Sequence, residues 1–407
     1  MDIGKIERNP DAPQAIPAVR SGRDLDREAA ERLDEIHQWF TDQYTRRDVV
    51  ARTTTAAGQE LDWVPAESQT DGPLAEPPDP PLDYPQDPDR PTRLMPLADD
   101  PEQQGPPGTV PLLRKPLDRI QPAGDLGDYL SKGPYKRRLT APDDPGFAVP
   151  AAAVPAHKYA LAVQYATNFG TEGFINTWRP YVQWSNEFSL GQLWVSAGTG
   201  VGTNLQTVEV GAQTYKDIYG DWGPHLFIFY TTNNYTASGN NLGGYNRDVD
   251  GWVQVATTVF PGMNLAESIA GGDQYDLGIK VSLFAGNWWV RIGNEWMGYY
   301  PAGLFSTAGL RNQAGRVDWG GEIVDDIAFH PEPTSTWMGS GAFPAAGWQR
   351  AAYMRNLMYQ TDAAGTMTNY QGFASATNPN AYQIAADFSG TSTWGSNFFW
   401  GGPGGVA

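Results

Sequence analysis

From His157 onward the chain is a succession of short β-branched and aromatic runs punctuated by Gly, Asn, Asp and Pro. The runs are Lys158 to Gln164, Gln192 to Ala197, Thr207 to Val210, His225 to Thr231, Gly251 to Ala256, Tyr275 to Phe284, Asn287 to Ile292, Trp296 to Tyr299 and Gly315 to Val324. Strands of this length, with turn signals every ten residues or so, specify an antiparallel β-sandwich or barrel. No helical period competes with them, so the fold class is all-β, of the concanavalin-like or jelly-roll type. Gly286-Asn287, between two of these runs, reads as a hairpin turn. The tail after Thr361 is rich in Gly, Asn, Ser and Trp, with room for a last edge strand that the sequence does not place.

Composition divides the chain. Of its 33 prolines, 24 precede His157, whereas 13 of its 15 tryptophans follow it, so the apolar mass for a large core lies in residues 157–407. Residues 1–60 form a partly disordered, helical N-terminal segment. Residues 1–22 are polar, and from Asp24 to Tyr44 Leu25, Ala29, Leu33, Ile36 and Phe40 recur at three and four residues, with Ser21 as a cap. Such a narrow stripe suits docking on the body better than pairing with another chain. Residues 61–156 form a Pro-rich linker or propeptide-like arm. Its Pro-Asp and Pro-Pro steps over 65–125 predict extended, exposed polyproline II rather than helix or sheet. Leu126 to Arg138 is a short mixed segment whose basic cluster reads as a solvated turn or a processing site.

A formal net charge of −18 argues against nucleic acid and against an anionic membrane as partners, because phosphate binding needs clustered Lys and Arg. There is no cysteine, which removes disulfides, thiolate nucleophiles and Cys-ligated zinc. His37, His157, His225 and His330 lie far apart with no ligand spacing, so neither a metal nor a cofactor is expected. The first residues contain no apolar signal segment and no run is long enough to span a bilayer, which leaves the compartment open.

The residues that carry chemistry are two acids. Arg316-Val-Asp-Trp-Gly-Gly-Glu-Ile-Val324 places Glu322 at the end of an apolar strand beside Gly320 and Gly321. Side chains alternate along a strand, so Val317, Trp319 and Ile323 share one face and Asp318, Gly320 and Glu322 the other. Strand glycines mark the close approach of a ligand or another backbone. In Thr207-Val-Glu-Val-Gly211, Val208 and Val210 face the core and Glu209 points away. Spacing alone leaves two readings open: a carboxyl pair on the floor of a groove, or two ordinary solvent-facing strand acids.

Ordered fragments over residues 157–360 resemble the neprosin family of glutamic peptidases. They are Val208-Glu-Val-Gly211, Tyr219-Gly-Asp221, Leu226-Phe-Ile-Phe-Tyr230, Gly244-Tyr-Asn246 followed by Gly251-Trp-Val-Gln254, Gly286-Asn-Trp-Trp-Val290, Met297-Gly-Tyr-Tyr-Pro301 with Leu304-Phe305, Trp319-Gly-Gly-Glu322 and Met338-Gly-Ser-Gly341. The resemblance implies a β-sandwich with a cleft across one sheet, and hydrolysis of peptides, proline-rich ones among them, by two glutamates with cleavage favoured next to proline. It places the catalytic positions on Glu209 and Glu322 and suggests an extracellular protein. Ala212 stands where plant relatives carry a Trp, which would remove an aromatic wall there, and Gly243-Gly244 stand where they carry cysteine. The N-terminal 156 residues do not match the plant activation domain.

Two carboxyls sharing one proton can activate water and protonate a leaving amine, because their repulsion raises one pKa while the other stays ionised; activity at acid pH follows. Which glutamate holds which role stays open. An oxyanion donor is also needed, for which amide or side-chain donors near Gly320 and Gly321 are candidates. A proline subsite calls for aromatic faces, and Trp319, Tyr219, Trp222 and Tyr299 are available, though each is also suited to the core. Two other functions fit the same residues: a carbohydrate-binding sandwich without catalysis, and a glycoside hydrolase using the same pair. The Pro-rich arm reads either as an inhibitory cover released in acid or as a spacer to an interaction helix.

Overall fold

The computed structural model describes residues 9, 23–78, 84–98, 100, 103–119, 125–132, 157–198, 204–325 and 332–405. Three antiparallel sheets carry the chain, two of them face to face. The first strands, β1 (Ala51–Thr54), β2 (Glu60–Pro65) and β4 (Thr109–Leu113), make a small sheet in the order β1-β2-β4, while β3 (Arg93–Leu94) runs parallel to a strand of the body. This corrects the expectation that 65–125 forms no sheet. β4 contains Pro111, opposite Trp63, and β4 is an edge strand, where a residue without an amide hydrogen is tolerated.

The body packs a seven-stranded sheet on a ten-stranded one. Along the chain come β5 (His157–Asn168), β6 (Gly170–Asn176), β7 (Ser189–Ala197), β8 (Gln206–Thr214), β9 (His225–Thr231), β10 (Gly243–Tyr245), β11 (Val253–Gln254), β12 (Tyr275–Phe284), β13 (Asn287–Ile292), β14 (Glu295–Pro301) and β15 (Ala314–Val324). Then comes β16 (Ala352–Gln360), and the tail after Thr361 adds β17 (Met367–Asn369), β18 (Phe373–Ala376), β19 (Gln383–Asp387) and β20 (Asn397–Gly401), several strands rather than one edge. The seven-stranded order is β10-β9-β8-β7-β15-β5-β18. The other sheet runs β11-β14-β13-β12-β6-β16-β20-β19, with β17 on β16 and β3 on β12. The β12–β13 turn is Ala285-Gly286, both at positive φ, with Asn287 already paired to Phe284; the expected turn is displaced by one residue.

Between the sheets lies the core. Leu193, Val195, Val208, Val210, Val317, Trp319 and Ile323 meet Ile279, Val281, Trp288, Val290 and Tyr300, all 1 % exposed or less. Each such aliphatic side chain stabilises the fold by about 1.5–3 kcal/mol. Helix α1 (Arg23–Thr45) docks on this body as expected, with Ile36 and Phe40 buried, Phe40 edge-on to Tyr129, and the Trp39 indole donating to the Asp248 carbonyl. Its cap residue Ser21, the polar stretches 1–8 and 10–22, and His330 lie outside the described residues. The described residues also include two short α-helices, α2 (Leu126–Leu130), capped by Asp125, and α3 (Lys216–Tyr219).

Candidate active site

On the outer face of the seven-stranded sheet the register lines side chains up in rows across β5, β15, β7, β8 and β9. One row reads Tyr159, Glu322, Leu190, Gln213, His225. Next comes Leu161, Gly320, Gln192, Gly211, Phe227, and then Val163, Asp318, Trp194, Glu209, Phe229. Glu322 and Glu209 therefore sit on the same face, on opposite sides of β7, with the glycine-flanked Gln192 between them. The alternation read from the sequence holds: Val208, Val210, Val317, Trp319 and Ile323 turn inward, and Ala212 shares the face of Val208 and Val210.

The side chain that joins the two acids is Lys132, two residues beyond α2. Its Nζ lies 2.6 Å from Oε2 of Glu209 and 2.7 Å from Oε2 of Glu322, with all three groups buried. A single atom within hydrogen-bond reach of both carboxylates fixes them as neighbours. The same ammonium stands 5.2 Å over the Trp194 ring and 6.0 Å from that of Phe227. Lys132 reaches this position because its segment passes over β10: a Cβ on Gly244, at positive φ, would press on the Leu130 carbonyl oxygen at 3.2 Å.

The acids have different surroundings. Glu209 Oε1 accepts from the Tyr235 hydroxyl at 2.6 Å and from Thr207 at 2.8 Å. Burial, reinforced by Glu209 itself, pushes the Tyr235 phenol well up, so it remains a donor. Glu322 Oε1 lies 2.6 Å from Nδ1 of His157, and its Oε2 accepts from the Gln192 amide at 2.8 Å. Burial acts to raise the Glu322 carboxyl, but the Lys132 ammonium and His157 outweigh it and hold it below the usual glutamate range. Among the described residues no group of His, Asp and Glu has the makings of a metal site.

The other residues named from the sequence are scattered. Gly320 lies on the same face of the sheet as the two acids, whereas Gly321 faces the core, where a Cβ would strike Trp400. Both are paired to β5 and β7, so their amides sit in the ladder of a central strand rather than at a site for an oxyanion. Trp319 is fully buried between the sheets and bonds Thr171, and Tyr299 belongs to the other sheet, under Leu74 and Ala75; neither lies beside the two acids. Tyr219 is buried, stacked on His225 and bonded to Gln213, whose row contains Glu322. Trp222 is half-buried in the turn before β9. The aromatic faces beside the acids are instead Trp194, Phe227 and Tyr235. Alternation already puts Trp194 two residues from Gln192, but only the cross-strand register brings either near a glutamate. Lys132 carries no sequence signal apart from the basic segment around it.

A family model described as Neprosin matches residues 185–403. Among solved structures, scytalido-glutamic peptidase with a transition state analog inhibitor shares 10 % identity over 60 % of this chain and 97 % of that one, at a TM-score of 0.32. SCP-B, a member of the Eqolisin family in complex with the tripeptide Ala-Ile-His, gives 10 %, 60 %, 96 % and 0.29. CG-16, a homodimeric agglutinin from chicken liver, gives 8 %, 40 %, 93 % and 0.22. At such TM-scores none of these likenesses assigns a role to any residue. The family match spans more than half the chain and includes both acids, and the chain accordingly belongs to the neprosin family of glutamic peptidases.

Proposed function

We propose that the chain is an acid endopeptidase that cleaves next to proline with Glu209 and Glu322 as its proton-transfer pair, and that the segment through Lys132 holds it latent. The observation that carries this reading is the Lys132 ammonium bound between the two carboxylates, at 2.6 and 2.7 Å. An atom with those partners occupies the position that a nucleophilic water needs, within hydrogen-bond reach of both groups.

With the ammonium gone, repulsion between two adjacent buried carboxyls raises the pKa of one of them, so that in acid the pair shares one proton. The ionised member takes a proton from water while the water oxygen bonds to the carbonyl carbon and the C=O π pair moves onto oxygen. As the tetrahedral intermediate collapses, the C–N pair leaves with nitrogen, which takes the proton held by the other carboxyl. One water is consumed, and the pair again holds one proton. Near neutrality both groups ionise and the donor is lost. Proline preference is supported by the ring faces of Trp194 and Phe227, which the Lys132 ammonium already approaches.

Latency has its own pH sign. Glu322 is held below its ordinary range, so the contact with Lys132 contributes fully above that range and is lost as pH falls through the lowered value. Acid that readies the pair for catalysis also loosens the group that covers it. In the test, a proline-containing peptide is incubated with the full chain and with Glu209→Gln and Glu322→Gln from about pH 2 to about pH 7. Either substitution should lower the rate about 100- to 10,000-fold; cleavage at the unsubstituted rate by either variant overturns the reading. Mass spectra taken after acid incubation should show loss of the segment containing Lys132, and a chain that is active while intact rejects latency by removal.

A further inference from the structure

We infer that Gln192 is a catalytic residue: its side-chain amide is the donor that stabilises the oxyanion in the hydrolysis proposed above, on which this inference rests. Three features of the cleft floor support it. First, Gln192 occupies the centre of the row between the two acids, on β7, with Glu322 one row away on β15 and Glu209 one row away on β8. Second, the positions directly across from it on both sides are Gly320 and Gly211. A Cβ on either glycine would run into the backbone of the neighbouring strand, so the floor is bare on both flanks of the glutamine. A peptide group can therefore come down onto this one polar side chain.

Third, the amide is buried and only half used. Nε2 gives one hydrogen to Glu322, and Oε1 finds no partner among the described residues. A buried carbonyl oxygen left without a donor is costly, and sites that keep one commonly use it on a ligand. The bond to Glu322 fixes the amide orientation, leaving the second N–H for the substrate carbonyl oxygen and Oε1 for a substrate N–H. Tyr235 and Thr207 are committed to Glu209, His157 Nδ1 lies against Glu322, and the Gly320 and Gly321 backbone belongs to the sheet. As the water oxygen bonds to carbon, the π pair moving onto the carbonyl oxygen meets a neutral donor that neither gains nor loses a proton.

The test uses the acid-incubated full chain and Gln192→Leu, with two inhibitors: a peptide phosphinate, whose tetrahedral P–O⁻ imitates the intermediate, and the product peptide. Removing an oxyanion donor should cut kcat about 100- to 1,000-fold. Phosphinate affinity should fall by a similar factor, with product affinity unmoved. A kcat within about threefold of the unsubstituted enzyme overturns the inference. So does a shifted pH profile with phosphinate affinity intact, since Gln192 would then act only by orienting Glu322. Should Gln192→Leu misfold, Gln192→Glu keeps the shape, and its rate should recover in part only at pH values where the new carboxyl is protonated and can donate. A flat, fully active profile for Gln192→Glu is the contrary outcome. If Glu209→Gln and Glu322→Gln remain active, the pair itself is wrong, and that result is independent of Gln192.

Discussion

Lys132 and Leu74 both belong to the N-terminal part of the chain and both lie on the sandwich, but they are held by opposite physics. On the outer face of the ten-stranded sheet, Leu74 and Ala75 cover Val253, Trp289 and Tyr299, and the polar ties beside them join uncharged groups: the Ala75 amide donates to the Tyr299 hydroxyl at 3.3 Å and the Gln69 amide to the Gln254 carbonyl at 2.8 Å. On the outer face of the seven-stranded sheet, one ammonium is buried between two carboxylates. Apolar cover has no charge to lose and is indifferent to proton concentration. The ionic contact keeps its strength only while its acids stay ionised. One arm thus has an uncharged clasp at one end and, over Glu209 and Glu322, an ionic one.

Breaking the ionic clasp should have the largest effect. Lys132→Met in the full chain removes a contact whose loss costs about 3–5 kcal/mol, equal to about 100- to 5,000-fold in occupancy of this position. At a mildly acid pH where the unsubstituted full chain is silent, the variant should cleave peptide; equal silence in both would mean that the cover is held by something else. A smaller part of that energy should disappear on acidification. Hydrogen exchange at residues 126–130 should speed up as pH falls through the lowered Glu322 range, after correction for the intrinsic pH dependence of exchange, while residues 74–75 stay unchanged. Uniform protection of both segments down to about pH 3 would erase the distinction.

The same substitution made in both regions sharpens the contrast. Tyr235→Phe takes a donor from the Glu209 carboxylate, a hydrogen bond to a charged group worth about 1.5–3 kcal/mol, so kcat should fall about 10- to 100-fold. Tyr299→Phe takes a neutral acceptor from Ala75 and should cost only about 0.5–1.5 kcal/mol of stability in a urea titration, at every pH, with kcat unaltered. If Tyr299→Phe depresses kcat as much as Tyr235→Phe does, the two faces are coupled and the contrast fails.

What could be read from the sequence was what alternation controls. Glu209 points away from Val208 and Val210, and Glu322 away from Ile323, because successive side chains in a strand take opposite faces whatever the neighbours are. The same rule, applied to length and turn signals, gave the sandwich. It failed where the outcome depends on a partner: Pro111 entered a strand because β4 is an edge, and Trp319 and Tyr299, good candidates by residue type, went to the core and to the far sheet.

The residues from Val208 to Gly211 and from Trp319 to Glu322 determined by themselves which face each acid would take, and the absence of cysteine ruled out thiolate chemistry. Only the tertiary structure decided that β7 lies between those two strands. That register sets Gln192 between bare glycines and brings His157, Tyr235 and Lys132 onto the carboxyls from 165, 26 and 77 residues away. Strand order and register come from packing summed over whole sheets, and no local stretch of chain contains that information.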